Sequence, residues 1–264
     1  MGRNIPRGAK KNLKLILDKI KKKRKIFLFL DYDGTLTPIR KKPRLAKIST
    51  RTRKLLNKIS KKKWAGVFIV SGRSIKNLRS LIRLKSICYI GNHGFEMEGP
   101  SVRYLHPAGR KAKPIMKKLY GILKKEILIK GIVFDDKEYT LSLHYRMVRK
   151  SERLKVKEKF KKVISGFNKN YPIKITHGKK VFEIRPRVAW DKGKIVKKVM
   201  RNKKNILPIS IGDDITDEDM FRAVGKRGIT IIVSAKKKKS FAQYRVSSTS
   251  EVVKFLKLFL NTEN

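Results

Sequence analysis

Along the first ninety residues, short runs of β-prone apolar residues alternate with stretches whose apolar positions recur three and four apart. Residues 10–24 put Leu13, Ile16, Leu17 and Ile20 on one helical face, and the lysines that follow suit a helix C-terminus and its dipole. The run 26–30 (IFLFL) is too short for a helix and predicts a buried parallel strand. Ser49 and Thr50 offer N-caps to a helix carrying Leu55, Leu56 and Ile59. Residues 66–70 predict a second strand and 87–90 a third, with a helix beginning near Ser74 between them. Each strand ends in a small polar turn: 31–35 (DYDGT), 71–73 (SGR) and 91–94 (GNHG). Such alternation predicts a parallel, doubly wound sheet.

The pattern changes near His106 and Pro107. Residues 108–126 read as a helix, then 131–135 and 139–146 as an antiparallel strand pair turning at Asp136 and Lys137. A second helix spans about 150–167, and a second pair, 172–176 and 180–185, turns at His177 and Gly178. Helix–strand–strand occurs twice with no convincing sequence repeat between the halves. The alternation then resumes. Asp191-Lys192-Gly193 opens a helix, and a strand at 206–211 ends in 212–219 (GDDITDED). Another strand at 229–233 precedes a lysine loop at 236–239. Ser248 with Glu251 three residues on predicts a capping box for a last helix that packs on the sheet. The fold class is therefore α/β: a doubly wound, Rossmann-like parallel-sheet core at 1–105 and 187–264, with an inserted α+β cap domain at 106–186.

Composition sharpens this picture. The 264 residues are 40% hydrophobic, enough for a sizeable core, yet 70 Lys and Arg face 20 Asp and Glu, a formal charge of +50. That excess implies self-repulsion and salt-sensitive, non-specific attraction to polyanions. It is not accompanied by a zinc pattern, an aromatic-interleaved basic motif or a glycine-rich RNA-binding signature, so no specific nucleic-acid partner is expected. The runs 61–63 and 236–239 read as solvated surface. No segment approaches the roughly 18 apolar residues of a membrane span, so no membrane partner is expected. The N-terminus lacks the apolar core of a signal peptide, and the expected location is cytoplasmic. A single cysteine, Cys88, excludes an internal disulfide, fits a reducing compartment and lies in an apolar run as a buried structural thiol. A monomer is the working expectation.

Because acids are scarce, their placement is informative. Asp31 and Asp33 directly follow a buried strand, where open α/β sheets bind ligands. Two carboxylates side by side there repel each other unless a cation sits between them or one stays protonated. Five of the 20 acids fall within the seven residues 213–219, and Asp213 and Asp214 again follow a strand directly. Oxygen ligands drawn from two strand ends suit Mg²⁺. Asp213 is the expected ligand, while Asp214 and Asp217 divide between supporting the metal and capping the next helix, for which Thr216 is another cap. Ser71, Gly72 and Arg73, between a strand and a helix N-terminus, suit a phosphate.

DYDGTLTP at 31–38, Ser71-Gly72-Arg73, Lys192-Gly193 and GDDITDEDMF at 212–221 resemble, in order, the four motifs of haloacid dehalogenase (HAD) superfamily phosphatases. Within it, the match is closest to trehalose-6-phosphate phosphatases, whose GNHG turn, HYR strand and E-x-R-P strand resemble residues 91–94, 144–146 and 183–186. The resemblance covers almost the whole chain. It implies a Mg²⁺-dependent phosphatase that hydrolyses trehalose 6-phosphate through an aspartyl-phosphate, the last step of trehalose synthesis. It makes Asp31 the nucleophile and Asp33 the general acid and base. Ser71 and Lys192 would hold the phosphate, with Gly72 and Arg73 beside it. Asp31, the backbone carbonyl of Asp33 and Asp213 would ligate Mg²⁺, with Asp214 supporting. The cap would close over the site and bind the sugar through Glu183 and Arg185, with His144 and Asn92 as further contacts. The core motifs are shared with phosphatases of sucrose phosphate, mannosyl-phosphoglycerate and other sugar phosphates, which form the alternative reading. A basic nucleic-acid-binding protein is the remote one.

Overall fold

The computed structural model describes residues 2–40, 42–168, 171–178 and 180–260 of the chain. In chain order, β1 (Arg7–Gly8), α1 (Leu13–Lys21), β2 (Lys25–Leu30), α2 (Thr50–Ser60), β3 (Ala65–Val70), α3 (Ile75–Ile82), β4 (Cys88–Gly91), β5 (Glu96–Gly99) and β6 (Val102–Leu105) come first. Next are α4 (Pro107–Glu126), β7 (Val133–Asp136), β8 (Leu141–His144), α5 (Arg153–Asn168), β9 (Ile173–Gly178) and β10 (Val181–Pro186). The chain finishes with α6 (Lys192–Met200), β11 (Ile206–Gly212), α7 (Glu218–Val224), β12 (Ile229–Val233), β13 (Tyr244–Val246) and α8 (Thr249–Lys257). These elements cluster into two units, Met1–Tyr104 with Trp190–Asn264, and Leu105–Ala189. Among the described residues no helix is long and apolar enough to cross a membrane.

The larger unit is built on one sheet in the order β1-β13-β12-β11-β2-β3-β4-β5-β6. It is parallel from β1 through β4, and β5 pairs antiparallel to β4. Alternation along each strand divides the apolar residues between two faces. Ile26, Leu28 and Leu30 of β2 join Val67 and Ile69 of β3 in a cluster with α1, α2, α3 and α8. Phe29 of β2 and Val70 of β3 point the other way, into a cluster with Ile195 and Val196 of α6 and Met220 of α7. Phe29 and Phe68 stack there with ring centroids 4.9 Å apart. Helices thus cover both faces, as strands largely apolar on both sides require. The chain runs from β2 outward through β3 to β4, and later returns on the other side of β2 as β11. The order reverses between β2 and β11, which opens a crevice at their carboxyl ends.

The smaller unit is a four-stranded antiparallel sheet, β7-β8-β10-β9. Leu141, Leu143, Phe182 and Ile184 point from one face into a core with Met116, Leu119 and Leu123 of α4 and Val156 and Phe160 of α5. Phe160 and Phe182 stack at 4.1 Å.

Several local expectations change. The stretch 10–24 is a short 3₁₀ turn at Lys10–Asn12 followed by a helix that stops at Lys21. The first hairpin turns over residues 137–140, with the Lys137 N–H bonded to the Thr140 carbonyl and Glu138 at φ +67°. His177 and Gly178 are not a turn: they end β9, paired with Phe182 and Val181. The reversal follows them, and Lys179 lies outside the described residues. Glu251 does not close a box on Ser248. Its Oε2 accepts the N–H of Ser247 at 2.6 Å, while the Ser248 hydroxyl caps α8.

Candidate active site

Asp31 is the first residue after β2, and its N–H still pairs with the Ile211 carbonyl of β11. Its carboxylate is buried and accepts the ammonium of Lys192, the first residue of α6, at 2.8 Å. The same ammonium reaches Asp217 Oδ1 at 2.7 Å. The other oxygen of Asp217 accepts the backbone N–H groups of Asp213 at 2.9 Å and Asp214 at 3.0 Å. Asp31, Asp213 and Asp217 each offer an oxygen within 4.8 Å of the others. Two glycines make this density possible. A Cβ on Gly34, which sits at φ +85°, would lie 2.3 Å from Asp213 Oδ2, and one on Gly212 would lie 2.3 Å from Asp217 Cγ.

The Lys192 ammonium thus bridges two buried carboxylates, with the partly buried Asp213 carboxylate beside them. Burial, then Asp217, outweighs Lys192 and holds the Asp31 carboxyl well above the usual carboxylate range. For Lys192 burial acts downward, but Asp217 and Asp31 overcome it and hold the ammonium above the ordinary lysine range. The donor set fits a hard divalent cation: all ligands are oxygens, and they come from two strand ends. Thr35, in the turn after Asp33, has a fully buried hydroxyl with no hydrogen-bond partner among the described residues, so polar capacity is left for a bound group.

The carboxylate cluster differs from the residues expected to hold a metal: Asp33 turns to Arg73, and Asp214 lies outside. Asp214 is exposed, and its carboxylate caps the 3₁₀ turn at Ile215–Asp217 by accepting the N–H of Ile215 at 2.7 Å. Asp217, fully buried, joins Asp31 and Asp213 in the carboxylate cluster, where Asp214 was the expected support. Thr216 caps nothing; Asp214 and Asp217 form the capping box themselves.

Asp33 and Arg73 form a second constellation. Arg73 Nε and Nη2 donate to the two Asp33 oxygens at 2.6 and 2.7 Å, a bidentate pair. Nη1 reaches Asn77 Oδ1 at 2.7 Å, Nη2 also reaches the Pro43 carbonyl at 2.8 Å, and the guanidinium lies over the Tyr32 ring. Arg73, expected beside the phosphate, is thus committed to the Asp33 carboxylate. At the N-terminus of α3, where a phosphate is expected, two N–H groups already have partners. Its Asn77 N–H is accepted by Ser74 Oγ and its Ile75 N–H by Glu96 Oε1. Ser71 is buried, and its hydroxyl accepts the Arg73 N–H at 3.2 Å. Gly72 leaves room for the His93 ring, which a Cβ would meet at 2.6 Å. Asn92 is buried at φ +50°, and its amide donates to Glu96 Oε1 at 2.6 Å, so it braces a turn.

In the smaller unit, Glu183 of β10 pairs across from Ser142 of β8, on the face opposite the apolar core. Glu183 accepts the Ser142 hydroxyl at 2.8 Å and the Lys137 ammonium at 3.2 and 3.3 Å. Lys137 is buried, and the sequence reading missed it because one lysine among 70 cations carries no signal. His144 shares this face, its Nε2 buried without a hydrogen-bond partner among the described residues. Burial, then Lys137, holds its ring below the ordinary histidine range. Arg185 Nη2 is 3.4 Å from Thr176 Oγ1.

The architecture is that of the haloacid dehalogenase-type α/β proteins. The structure superposes with a TM-score of 0.82 on the Candida albicans trehalose-6-phosphate phosphatase C-terminal domain, covering 100% of both chains at 23% identity, a likeness of fold. Sequence narrows the class. The trehalose-phosphatase family model matches residues 29–250. Trehalose-phosphate phosphatase B of Arabidopsis thaliana is 34% identical over 252 residues, covering 89% of this chain and 66% of that protein. A probable trehalose-phosphate phosphatase of Oryza sativa subsp. japonica is 34% identical over 262 residues, covering 89% of this chain and 69% of its own. The chain thus spans about two thirds of the length of these relatives. It belongs to the trehalose-phosphatase family, a family of phosphoric monoester hydrolases.

Proposed function

We propose that this protein hydrolyses trehalose 6-phosphate to trehalose and phosphate, with Asp31 as the group that accepts phosphorus. The observation that carries this reading is the buried Lys192 ammonium held between Asp31 and Asp217 at the sheet's switch point. Family membership over residues 29–250 supports the substrate. An incoming phosphate is repelled by a carboxylate by about 4 kcal/mol per pair of unit charges about 4 Å apart at an effective dielectric of about 20. Lys192 offsets part of that, and it keeps one Asp31 oxygen fixed while the other faces the reacting centre. A Mg²⁺ ion held by Asp31, Asp213 and Asp217 would supply the remaining neutralisation of phosphate charge.

Attack by Asp31 breaks the phosphorus–oxygen bond to the sugar and leaves the phosphoryl group on its carboxylate. Asp33 protonates the departing sugar oxygen, then takes a proton from the water that hydrolyses the acyl phosphate. Arg73 sets the direction of Asp33, and proton transfer requires one Asp33 oxygen to exchange its Arg73 N–H for the reacting group. Ser71 lends a hydroxyl to the phosphate. Glu183, with Lys137 and Ser142, offers charge-assisted partners for sugar hydroxyls, and this is the specificity element of the reading. The test is phosphate release from trehalose 6-phosphate beside sucrose phosphate and mannosyl-phosphoglycerate, with and without Mg²⁺. Preference for trehalose 6-phosphate and loss on chelation are expected; a flat panel removes the substrate assignment, and indifference to chelation removes the ion.

A further inference from the structure

Beyond the carboxylate cluster, the later turns of α6 and the segment after it wall a groove of about 710 Å³. Seven of its ten lining residues are Lys or Arg and none is acidic. Lys197, Lys203, Lys204 and Arg227 have no carboxylate partner among the described residues. The turn that carries Lys203 and Lys204 is shaped by left-handed Asn202 and Asn205, at φ +60° and +57°. Lys198 stands 4.7 Å over the Tyr104 ring, which restricts its ammonium, and Trp190 supplies an aromatic wall. Unpaired cations are common in a chain of +50, so charge alone distinguishes nothing. Their arrangement does: seven exposed cations rim one open groove, so their potentials add over it more than over an even spread of the same charges.

We propose that this groove is a second ligand site, which binds the phosphate chain of a small polyphosphate compound, either inorganic polyphosphate or a nucleoside triphosphate. None of the Asp31, Asp213 or Asp217 carboxylates lines it. Its volume falls in the range of small-ligand sites, about 300–1,000 Å³, while its open side and exposed cations leave the phosphate chain in contact with solvent. Arg227 brings a planar fork suited to two oxygens of one phosphate, and the lysines bring point charges for its neighbours.

The probe is tripolyphosphate, titrated calorimetrically at about 0.15 M salt, where distant charges are screened beyond roughly 8 Å. Two charge-matched variants decide the matter. Lys197→Gln/Lys203→Gln/Arg227→Gln empties the groove of three cations; Lys54→Gln/Lys58→Gln/Lys61→Gln removes three exposed ones around α2. The groove variant is expected to bind about tenfold more weakly and the α2 variant less than about twofold, given roughly 0.2–1 kcal/mol per exposed charge pair. Unchanged hydrolysis of an aryl phosphate in both verifies the fold. ATP binding more tightly than tripolyphosphate, with a shift in Trp190 fluorescence, identifies a nucleotide; equal affinity identifies the phosphate chain; either supports the site. Equal losses in the two variants overturn it, since binding then follows net charge. So does a tripolyphosphate that fails to bind at this salt while long RNA still does.

Discussion

Among the described residues two lysines are buried, Lys192 in the larger unit and Lys137 in the smaller, and both are held by carboxylates. Their surroundings differ in charge balance. Around Lys192 two buried carboxylates, Asp31 and Asp217, share one ammonium, with Asp213 within reach of both. Around Lys137 the ammonium meets the Glu183 carboxylate, which also accepts the Ser142 hydroxyl. The first arrangement concentrates carboxylate charge, which a reacting dianion tolerates only beside cations such as Lys192. The second pairs an ammonium with a carboxylate and a hydroxyl, groups that exchange hydrogen bonds with hydroxyls.

The contrast can be broken at either end. Asp31→Asn should lower phosphate release by on the order of 10³-fold or more while leaving the circular dichroism spectrum unchanged, because an amide cannot accept phosphorus. Residual turnover near the parent's would end the distinction between the two lysine sites. Lys192→Ala should cost about 3–5 kcal/mol in urea unfolding, since it leaves buried carboxylates unneutralised. Millimolar Mg²⁺ should return part of that loss; a midpoint insensitive to Mg²⁺ would mean that the cluster is not short of a cation.

Glu183→Gln should act differently, raising KM for trehalose 6-phosphate by about 10- to 100-fold through lost charge-assisted bonds. Turnover of a small aryl phosphate should stay within about twofold by the same logic, and matching losses on both substrates would place Glu183 outside sugar recognition. The smallest effect concerns His144. Its ring is held below the reference value of 6.5, chiefly by burial, so the unfolded chain binds the proton more readily. Its contribution to stability is therefore complete above 6.5 and is lost as pH falls through the folded value. The urea midpoint should drop on acidification from pH 7 to about pH 5, and His144→Gln should flatten that dependence. An unchanged slope in the variant would mean that His144 is not the group responsible.

Much of the larger unit was legible because β2, β3, β11 and β12 are predominantly apolar on both faces, which a sheet covered on both sides accommodates. The strands that went unread, β1, β5, β6 and β13, have two to four residues each and are set by pairing rather than by pattern. Asp31 and Asp213 were readable from their places beside strand ends, whereas Lys192, which opens α6, was reached only through the motif it resembles. Asp217 was not separable from Asp214, because five acids crowd seven positions and only the missing side chain of Gly212 decides which one enters. A signal was present in the three-residue spacing from Asp214 to Asp217, which is that of a capping box. The Asp33–Arg73 pair joins residues 40 positions apart, and nothing local announces it.

The turn at 91–94 donates its Asn92 and His93 amides to the carbonyls of Arg73 and Ser71, and its Gly94 carbonyl accepts the Trp190 indole N–H. Three segments distant in sequence are thereby stitched into one mechanical plate. Amide hydrogens across it should exchange with deuterium together, at a rate set by a shared opening event rather than by separate fraying of each loop.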